Sequence, residues 1–506
     1  MFSYSRFMHH SEISLDTYVE PISKDFRVFI NGEEIPVYTC RISAYPFNCW
    51  WKGHQRQIDQ TELASFVNLV SDESVNVEII AQKPHQRVLI KPYSKQIVHE
   101  ERNGRICFAL KPKDTCVVEL DDYHGCLFIF NDTPIPCEDP GKVTHYFGPG
   151  VHMVGKMILQ DGDSVYLDKD ALVFGCVFAK NAKNIRIYGN GLMDDSAEER
   201  IDENCYAEYN NGNLKFYDCQ NIRVEGVLFR NSAIWCVNLF HCFDVLLDGI
   251  KVFGQWRYNT DGIDIVNSQD VTVQNSFVHS FDDTVTIKGI DRYIDTDCKR
   301  ITVDKCILWC DWGRPCEIGL ETACREYSDI VFRNCDVIRP AAVALDIQHG
   351  DCAEIHHIRF ENIRAEFEAF YTREEIQREE NDVYTRQNVY AGSALISINN
   401  KRFRQQYAFL PGMKEMGESY GVDLEGIKSA GVHDILYKDI AVYYDPRIPN
   451  RDGKLDLRIL VQAKHVEGAC CENIVIDGIT VNGAPLTRED SLILSDTPDA
   501  ICFIEK

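Results

Sequence analysis

Residues 259–288 read NTDGIDIVNSQDVTVQNSFVHSFDDTVTIK. Through this stretch Ile, Val and Thr alternate with polar residues, a pattern that is typical of β-strands. Four of its five aspartates form a dense cluster of carboxylates, namely Asp261, Asp264, Asp282 and Asp283. Aspartate is depleted in strands and is costly to bury without a partner. Any one of these residues alone is best interpreted as a turn residue, whereas the four together suggest a chemical role.

An arrangement of two short strands recurs along the chain. Each unit begins with a polar or charged residue, continues with an alternating strand and a short turn, and ends with a second strand. The units begin at Asn184, Asn221, Asp244, Asp270, Arg300, Asp329, His357, Asp434 and Asn473. Successive starts from Asn221 to His357 are 23 to 30 residues apart, a period typical of one coil of a solenoid. No helical pattern fits inside the period, which predicts a right-handed parallel β-helix over residues 141–506.

Two regions fall outside the repeat. The step of 77 residues from His357 to Asp434 exceeds one coil. We therefore expect an insertion at about 365–432, which should lie against one edge of a cleft on the outside of the solenoid. Residues 1–140 contain short β segments at intervals of about 8 to 14 residues, which predicts a small antiparallel β-sandwich. The predicted fold class is therefore all-β, with a right-handed parallel β-helix domain preceded by a small β-sandwich domain.

Composition narrows the function classes. The chain has 506 residues and a formal net charge of −25, which argues against nucleic acid or an anionic membrane as a partner. The sequence contains no export signal and no apolar run long enough to cross a membrane. Its 21 cysteines lack metal-site spacing and favour free thiols in a reducing cytoplasm, although a secreted form without its signal peptide stays open. We expect neither a metal nor a cofactor.

A third short strand completes each coil, as CVNL, GIDI, TVTI, EIGL and ALDI. We predict the register of these strands, one coil on the next, by aligning their apolar pairs. Ile263 and Ile265 then stack on Val285 and Ile287, which in turn stack on Ile318 and Leu320. The alternate residues then point outward. One outward column contains Asp264, Thr286, Gly319 and Asp346, and the next contains Val266, Lys288, Glu321 and Gln348.

Three carboxyl groups converge at the mouth of these strands. Asp261 precedes Asp282 and Asp283 by 21 and 22 residues, which is one coil. Like charges this close cannot all ionise at their ordinary pKa values, so at least one carboxyl should stay protonated. A protonated and an ionised carboxyl together suit hydrolysis of a glycosidic bond. A calcium site or a ladder of turn residues is the alternative interpretation.

These residues resemble a known family. Asn259-Thr260-Asp261 and Asp282-Asp283 look like the signature of glycoside hydrolase family 28, the polygalacturonase family. The two-domain layout is also similar to that of the family 49 dextranases. The resemblance implies an inverting mechanism in which Asp283 is the general acid, while Asp261 and Asp282 hold and deprotonate the attacking water.

The sequence departs from the family pattern at two places. The Gly-His-Gly segment of the family is matched by Gly313-Arg314-Pro315-Cys316-Glu317-Ile318-Gly319, which has no histidine. The Arg-Ile-Lys that grips a substrate carboxylate is replaced by Asp346-Ile347-Gln348. An outward aspartate repels a galacturonate but pairs well with sugar hydroxyls. We therefore expect a neutral or otherwise unusual sugar rather than polygalacturonate.

The remaining candidates are expected to line the groove and bind an oligosaccharide substrate. They are Asn259, Asp264, Lys288, Arg314, Glu317, Glu321, Asp346, Gln348, His349, Trp256 and Arg257. Two other functions stay open at this point. One is a β-helix polysaccharide lyase, with Lys288 or Arg314 as the base, and the other is a carbohydrate-binding solenoid without catalysis. A homo-oligomer is also left open.

Overall fold

The computed structural model describes residues 18–43, 61–201, 204–369, 394–400, 431–463 and 470–505. Within these residues the regular structure is almost all strand, with short 3-10 turns and no α-helix. None of the described elements is a helix that could cross a membrane. The predicted all-β class, with a parallel β-helix after smaller N-terminal sheets, is confirmed.

The N-terminal region forms two five-stranded sheets with the orders β2-β1-β5-β8-β7 and β3-β4-β10-β9-β6. The strands are β1 (Phe26–Ile30), β2 (Glu33–Ile35), β3 (Tyr38–Ser43), β4 (Thr61–Val70), β5 (Val75–Ala81), β6 (Val88–Lys91), β7 (Glu100–Arg102), β8 (Arg105–Leu110), β9 (Thr115–Leu120) and β10 (Asp122–Asp132). Buried residues of both sheets, including Val28, Ile79, Val118 and Ile129, pack into one core.

One pairing in this region differs from the predicted antiparallel arrangement. Strand β10 runs parallel to β4, with Leu127 opposite Ser65. The chain between these two strands passes through both sheets, and a connection of that length lets β10 return in the same direction as β4.

The rest of the chain forms one 31-stranded sheet that winds as a β-helix. Its strands are β11 (His145–Phe147), β12 (Gly150–Leu159), β13 (Ser164–Leu167), β14 (Ala171–Lys180), β15 (Lys183–Gly189), β16 (Leu192–Asp194), β17 (Leu214–Tyr217), β18 (Gln220–Glu225), β19 (Leu228–Arg230), β20 (Val237–Phe240), β21 (Phe243–Asp248), β22 (Lys251–Phe253), β23 (Ile263–Val266), β24 (Gln269–Gln274), β25 (Phe277–Ser280), β26 (Val285–Gly289), β27 (Cys298–Asp304), β28 (Ile307–Cys310), β29 (Cys316–Thr322), β30 (Glu326–Arg333), β31 (Asp336–Ile338), β32 (Val343–His349), β33 (Glu354–Glu361), β34 (Arg364–Phe367), β35 (Ala394–Asn400), β36 (Val432–Tyr444), β37 (Arg458–Gln462), β38 (Cys471–Val481), β39 (Ala484–Pro485), β40 (Leu492–Ser495) and β41 (Ile501–Ile504). From β14 to β36 strands pair in parallel with the strand three places further along the chain. Each coil therefore has three strands.

The polar residue that begins each repeat unit has a specific backbone conformation. All nine of these residues, from Asn184 to Asn473, have φ between 51° and 60°, the left-handed region that Asn and Asp tolerate best among residues with a Cβ. Their side chains also bond from coil to coil, as where Asn221 Nδ2 donates to Asn184 Oδ1 at 2.7 Å. The corner conformation explains why the repeat begins with Asn or Asp so often.

The predicted register holds for the first coils of the site and is wrong for β29. Ile263 and Ile265 stack on Val285 and Ile287, as predicted. The next residues in these two columns are Cys316 and Ile318, not Ile318 and Leu320. Glu317, rather than Gly319, therefore follows Thr286 in the outward column and precedes Asp346.

The physical reason for the error is the two-residue period of a strand. A slip of two residues keeps every inward residue inward, so alternation alone does not distinguish the two registers. The ladder is also irregular between Ile287 and Gly289, where Thr322 rather than Leu320 pairs with Gly289. Glu321 thus lies within this irregularity, among the residues opposite Lys288, rather than in a regular column with it.

The range predicted as an insertion, 365–432, contains one strand of the β-helix. Ala394–Asn400 pairs in parallel with β32, with Ile396 beside Leu345. Residues 370–393 and 401–430, which make up most of that range, lie outside the described residues.

The N-terminal sheets pack directly against the β-helix. Phe66, Phe128 and Phe130 form a buried cluster with Phe253, Phe277 and Trp309 of the helix. A largely buried charge network lies nearby, in which Arg339 Nη2 donates to Glu119 Oε1 at 2.8 Å and to Glu368 Oε2 at 2.7 Å. Lys91 Nζ donates to Glu366 Oε2 at 2.9 Å in the same network. These ion pairs therefore connect the N-terminal sheets to the β-helix.

Candidate active site

The three aspartates lie at the turns that lead into two neighbouring strands of the same face. Asp261 precedes β23, and Asp282 with Asp283 precedes β26. The Gly262 N–H donates to the Asp283 carbonyl at 2.8 Å, which stacks one turn on the other. Asp261 is 2 % exposed, and Asp282 and Asp283 are each 7 % exposed. The predicted separation of one coil therefore brings the three residues together in a largely buried site.

Lys288 occupies the centre of the carboxylates. Its Nζ lies 3.5 Å from Asp283 Oδ2, 3.9 Å from Asp261 Oδ2 and 3.4 Å from Glu321 Oε2. The side chain is 5 % exposed, because β26 points it outward into the site rather than into solvent. Glu321 also accepts a hydrogen bond from the Tyr206 hydroxyl at 2.6 Å.

Arg314 contacts the same site from the next coil. Its backbone N–H donates to Asp283 Oδ1 at 3.0 Å, and its Nη1 lies 3.8 Å from the same oxygen. The Nε atom lies 3.3 Å from Asp346 Oδ2 and 4.0 Å from Glu317 Oε1. The cation therefore bridges three carboxylates of the outward face.

Gly313 fits against the aspartate pair because it has no side chain. A Cβ atom at this position would lie 2.5 Å from Asp282 Oδ1 and 2.7 Å from Asp283 N. Any other residue would collide with these two groups.

The surroundings of Asp282 and Asp283 have opposite effects on proton affinity. Burial and the neighbouring Asp283 charge raise the pKa of Asp282 to about 8. Burial would also raise the pKa of Asp283, but Lys288, a hydrogen bond with Glu317 and Arg314 outweigh it and hold that pKa below its ordinary value. These opposite shifts favour a protonated Asp282 and an ionised Asp283 near neutral pH.

Burial raises the pKa values of three further acids of the site, Asp261, Asp264 and Glu317. At Asp261 the charges of Asp264, Asp282 and Asp283 add to the effect of burial. In contrast, the surrounding carboxylates raise the pKa of Lys288 against the effect of its burial. The ammonium group therefore stays charged.

The remaining predicted residues fall into two groups. Gln348 Nε2 donates to Glu317 Oε1, and Asp346 is the strand neighbour of Glu317, so both belong to the outward face of the site. His349 ends the same strand and is fully buried. The structure also places Asp264 beside Thr286 in that face, without any exposed surface.

The second group precedes the aspartates in the chain. Asn259 Nδ2 donates to Cys205 Sγ at 2.7 Å. Trp256 is only 6 % exposed, and the guanidinium of Arg257 lies over its ring at 5.4 Å. Burial lowers the pKa of Arg257. Trp256 therefore has little surface to offer a sugar in this conformation.

Sequence reasoning missed Tyr206, which donates to Glu321, and the close approach of Gly313 to the aspartate pair. Tyr206 lies in a stretch that follows no strand pattern, and the long step of 37 residues from Asn184 to Asn221 is the signal that could have identified it. Among the described residues, no group of three His, Cys, Asp or Glu side chains is arranged to hold a metal ion.

Comparison with known proteins finds sequences and a fold similar to those of this chain. The model of the family described as glycosyl hydrolases family 28 matches residues 153–367. A probable endopolygalacturonase D of Neosartorya fischeri is 25 % identical over 158 residues, which are 28 % of this chain and 31 % of that protein. A probable rhamnogalacturonase A of Aspergillus oryzae is 26 % identical over 149 residues, 29 % of this chain and 30 % of that protein. The chain thus spans about a third of the length of these curated relatives.

A solved structure matches the whole chain in fold. Dex49A from Penicillium minioluteum superposes with a TM-score of 0.66 at 14 % identity and covers 98 % of each chain. The predicted resemblance to family 28, and to family 49 in layout, is confirmed. Residues 153–367 are similar in sequence to this family of glycosidases, in agreement with the predicted class.

Proposed function

We propose that the protein is a glycoside hydrolase that cleaves a glycosidic bond of an oligosaccharide with inversion of the anomeric centre. The observation that carries the proposal is the convergence of three buried carboxyls, Asp261, Asp282 and Asp283, with Lys288 Nζ 3.5 Å from Asp283 Oδ2. Burial and the Asp283 charge raise the pKa of Asp282, and the cations lower that of Asp283, so one carboxyl of the pair favours the protonated form and the other the ionised form. One group of each kind is what acid-base cleavage of a glycoside requires.

In this proposal Asp282 is the general acid and Asp283 is the general base. Asp282 gives its proton to the leaving oxygen, while Asp283 takes a proton from the attacking water and Asp261 helps to hold that water. The family resemblance implies the reverse order for the adjacent pair. The charges favour our order because Lys288 and Arg314 both contact Asp283 and keep it ionised.

A low pKa does not prevent Asp283 from acting as the base. Water becomes much more acidic as it bonds to the anomeric carbon, so the base must be ionised and correctly placed rather than strongly basic. Lys288 and the Arg314 N–H fix the two oxygens of Asp283, which supplies that placement.

We further propose a neutral or otherwise unusual sugar as the substrate. Lys288 and Arg314 already lie within 4.0 Å of carboxylates of the protein itself. A uronate carboxylate would add a further negative charge among Glu317, Glu321 and Asp346. Sugar hydroxyls, in contrast, can donate to these carboxylates and accept from Gln348.

The test compares Asp282→Asn with Asp283→Asn on aryl glycosides. An activated leaving group such as 2,4-dinitrophenolate needs no proton, so Asp282→Asn should retain turnover of that substrate and lose turnover of unactivated oligosaccharides. Asp283→Asn should lose both by about a thousandfold or more. The opposite pattern would reverse the roles, and full activity of both variants would refute the assignment.

Two further measurements on the wild-type protein identify the substrate and the stereochemistry of cleavage. A panel of neutral aryl glycosides and oligosaccharides, with polygalacturonate as the comparison, identifies the sugar. Proton NMR of the first anomer released should show inversion. An unsaturated, ultraviolet-absorbing product would instead indicate a lyase, and binding without turnover would indicate a carbohydrate-binding solenoid.

A further inference from the structure

A segment outside the repeat contributes one side chain to the active site. Residues 204–211 precede β17 and belong to no strand of the β-helix. The buried Lys215 holds this segment, because its Nζ donates to the carbonyls of Cys205 at 3.2 Å and Ala207 at 2.6 Å. The backbone on either side of Tyr206 is therefore fixed to the β-helix.

The Tyr206 hydroxyl reaches the charged centre of the site. It donates to Glu321 Oε1 at 2.6 Å, while Glu321 Oε2 lies 3.4 Å from Lys288 Nζ. The Tyr206 ring meets the buried Trp235 ring edge to face at 5.5 Å. Lys288 Nζ lies 5.2 Å from the centre of the same Trp235 ring. The tryptophan therefore packs beside both the tyrosine and the ammonium group, and it restricts where the hydroxyl points.

An irregularity in the strand ladder brings Glu321 to Lys288. Lys288 of β26 stands opposite three residues of β29, 319–321. Extra residues in one strand form a bulge, which changes the direction of the side chains around it. A regular ladder would place Gly319 opposite Lys288, and glycine has no charge. The bulge thus gives Lys288 a carboxylate partner that the regular coil would not supply.

The Lys288 ammonium is shared between the assigned base and Glu321. Its Nζ lies 3.5 Å from Asp283 Oδ2 and 3.4 Å from Glu321 Oε2, so neither carboxylate holds the charge alone. Arg314 faces Asp283 from the next coil. The acidic groups whose charges act on the ammonium are Asp261, Asp264, Asp283, Glu317 and Glu321.

We propose that Tyr206 is a positioning residue of the active site, which holds one oxygen of Glu321 and thereby keeps the Lys288 ammonium beside Asp283. The inference rests on the proposed glycoside hydrolase function, in which Asp283 is the base. Without the hydroxyl, Glu321 is able to turn both oxygens toward Lys288 and draw it away from Asp283. A side chain from outside the repeat would then control how strongly the base is held in its ionised form.

The expected effect is a shift in the acidic limb of kcat/KM. Asp283 must be ionised to act as the base, so activity falls as the pH drops through its pKa. Lys288 helps to hold that pKa below its ordinary value. Tyr206→Phe should weaken this contact, raise the pKa of Asp283 and move the limb toward neutral pH by about one pH unit, the scale expected from losing a hydrogen bond to a charged group.

The experiment measures kcat/KM against pH on the neutral aryl glycoside for which the panel above gives turnover. It compares the wild-type protein with Tyr206→Phe, Glu321→Gln and the double variant, with thermal stability measured alongside. Glu321→Gln removes the charge that competes for Lys288, so on its own it should leave the limb at or below its wild-type position. The double variant should match Glu321→Gln, because Tyr206 acts through Glu321.

A second tyrosine of the same segment provides the matched control. Tyr209 is 51 % exposed, and Tyr209→Phe removes the same hydroxyl group. This variant should leave the acidic limb at its wild-type position. A general loosening of the segment would instead lower activity without moving the limb, and Glu321→Gln would not reverse that loss.

The outcomes separate the positioning role from the proposed function. Turnover with an unmoved acidic limb in Tyr206→Phe would overturn the positioning role and leave the glycosidase proposal intact. A shifted limb that persists in the double variant, or an upward shift in Glu321→Gln alone, would also overturn it. A lack of turnover by the wild-type protein on every sugar of the panel would instead refute the proposed function on which the inference rests.

Discussion

Two adjacent carboxyls at the centre of the site differ in protonation because their neighbours differ. Asp282 is affected mainly by burial and by the charge of Asp283, while Asp283 faces the ammonium of Lys288 and the N–H of Arg314. A lysine of the same coil and a backbone N–H of the next coil thus give two residues that are neighbours in sequence different proton affinities.

The pH dependence of kcat/KM follows from these shifts. Asp282, with its pKa raised to about 8, is protonated below that pH, so activity should persist through neutral pH and fall about tenfold per pH unit above 8. Asp283, with its pKa below the ordinary 3.8, stays ionised down to that range, so the acidic limb should lie below pH 4. A pH profile on a neutral aryl glycoside measures both limbs.

Lys288 sets the position of the acidic limb of this pH profile. Lys288→Met removes the charge that lowers the pKa of Asp283, so the acidic limb should move toward neutral pH. Lys305→Met, an exposed lysine outside the site, serves as the control and should leave the profile unchanged. An acidic limb that stays in place in Lys288→Met would contradict the assigned base.

Gly313 offers a test that changes no charged group. Gly313→Ala would place a Cβ 2.5 Å from Asp282 Oδ1 and displace the pair. We expect kcat to fall about a hundredfold, as displacements of about 1 Å can do, with thermal stability measured alongside. Gly148→Ala, where the nearest atom is a Tyr146 ring carbon at 3.5 Å, should retain full activity. Equal rates in both variants would show that the close approach has no catalytic role.

The sequence predicts some residues of the site better than others. Asp261, Asp282 and Asp283 could be found because the coil period places them together. Tyr206 could not, because it comes from a stretch without strand pattern, and its contact with Glu321 joins residues 115 positions apart. Glu317 could be predicted as a groove residue. Its place beside Thr286 could not be predicted, because it depends on the register of β29.

At the scale of the element, the corners were more predictable than the strand registers. The residues that begin the nine repeat units could be read from sequence, and every one has a left-handed backbone. In β29 the sequence pattern does not distinguish a register that places Cys316 in the core from one that places Leu320 there. Cysteine and leucine are both apolar, and a shift of two residues preserves the alternation.

A corner substitution tests the role of the left-handed conformation. Asn221 has φ of 55°, so Asn221→Ala should lower the free energy of unfolding by about 1–2 kcal/mol, the cost of placing an ordinary residue in that region. Asn221→Gly should cost less, because glycine adopts this φ freely. Urea denaturation of the two variants measures the difference, and an alanine variant as stable as the glycine variant would contradict the explanation.

At the scale of the whole molecule, the N-terminal sheets and the β-helix share buried charges. Arg339 is 1 % exposed and connects Glu119 of the first region with Glu368 of the second. Such a network is costly to break, because removing one charged side chain leaves its former partners buried without a compensating charge. We therefore expect the two regions to unfold together rather than one after the other.

The interface prediction compares two arginines six positions apart. Arg339→Met leaves Glu119 and Glu368 without their shared cation and should cost about 3–5 kcal/mol of unfolding free energy. Arg333→Met removes a pair with Asp304 in which the arginine is 45 % exposed, and it should cost less than about 1 kcal/mol. Chemical denaturation distinguishes them, and losses of equal size would argue against a shared buried network.

The stacking of three-stranded coils also bears on how such a chain can change over evolution. A strand of the regular region bonds to the strand one coil before it and the strand one coil after it. Duplication of one complete coil would give each new strand neighbours of the kind it already has, and would lengthen the groove by about 4.8 Å. A shorter insertion has no place in the stack and must leave it as a loop. The coil is therefore the natural unit in which this gene can gain or lose length without disturbing the chemistry on either side.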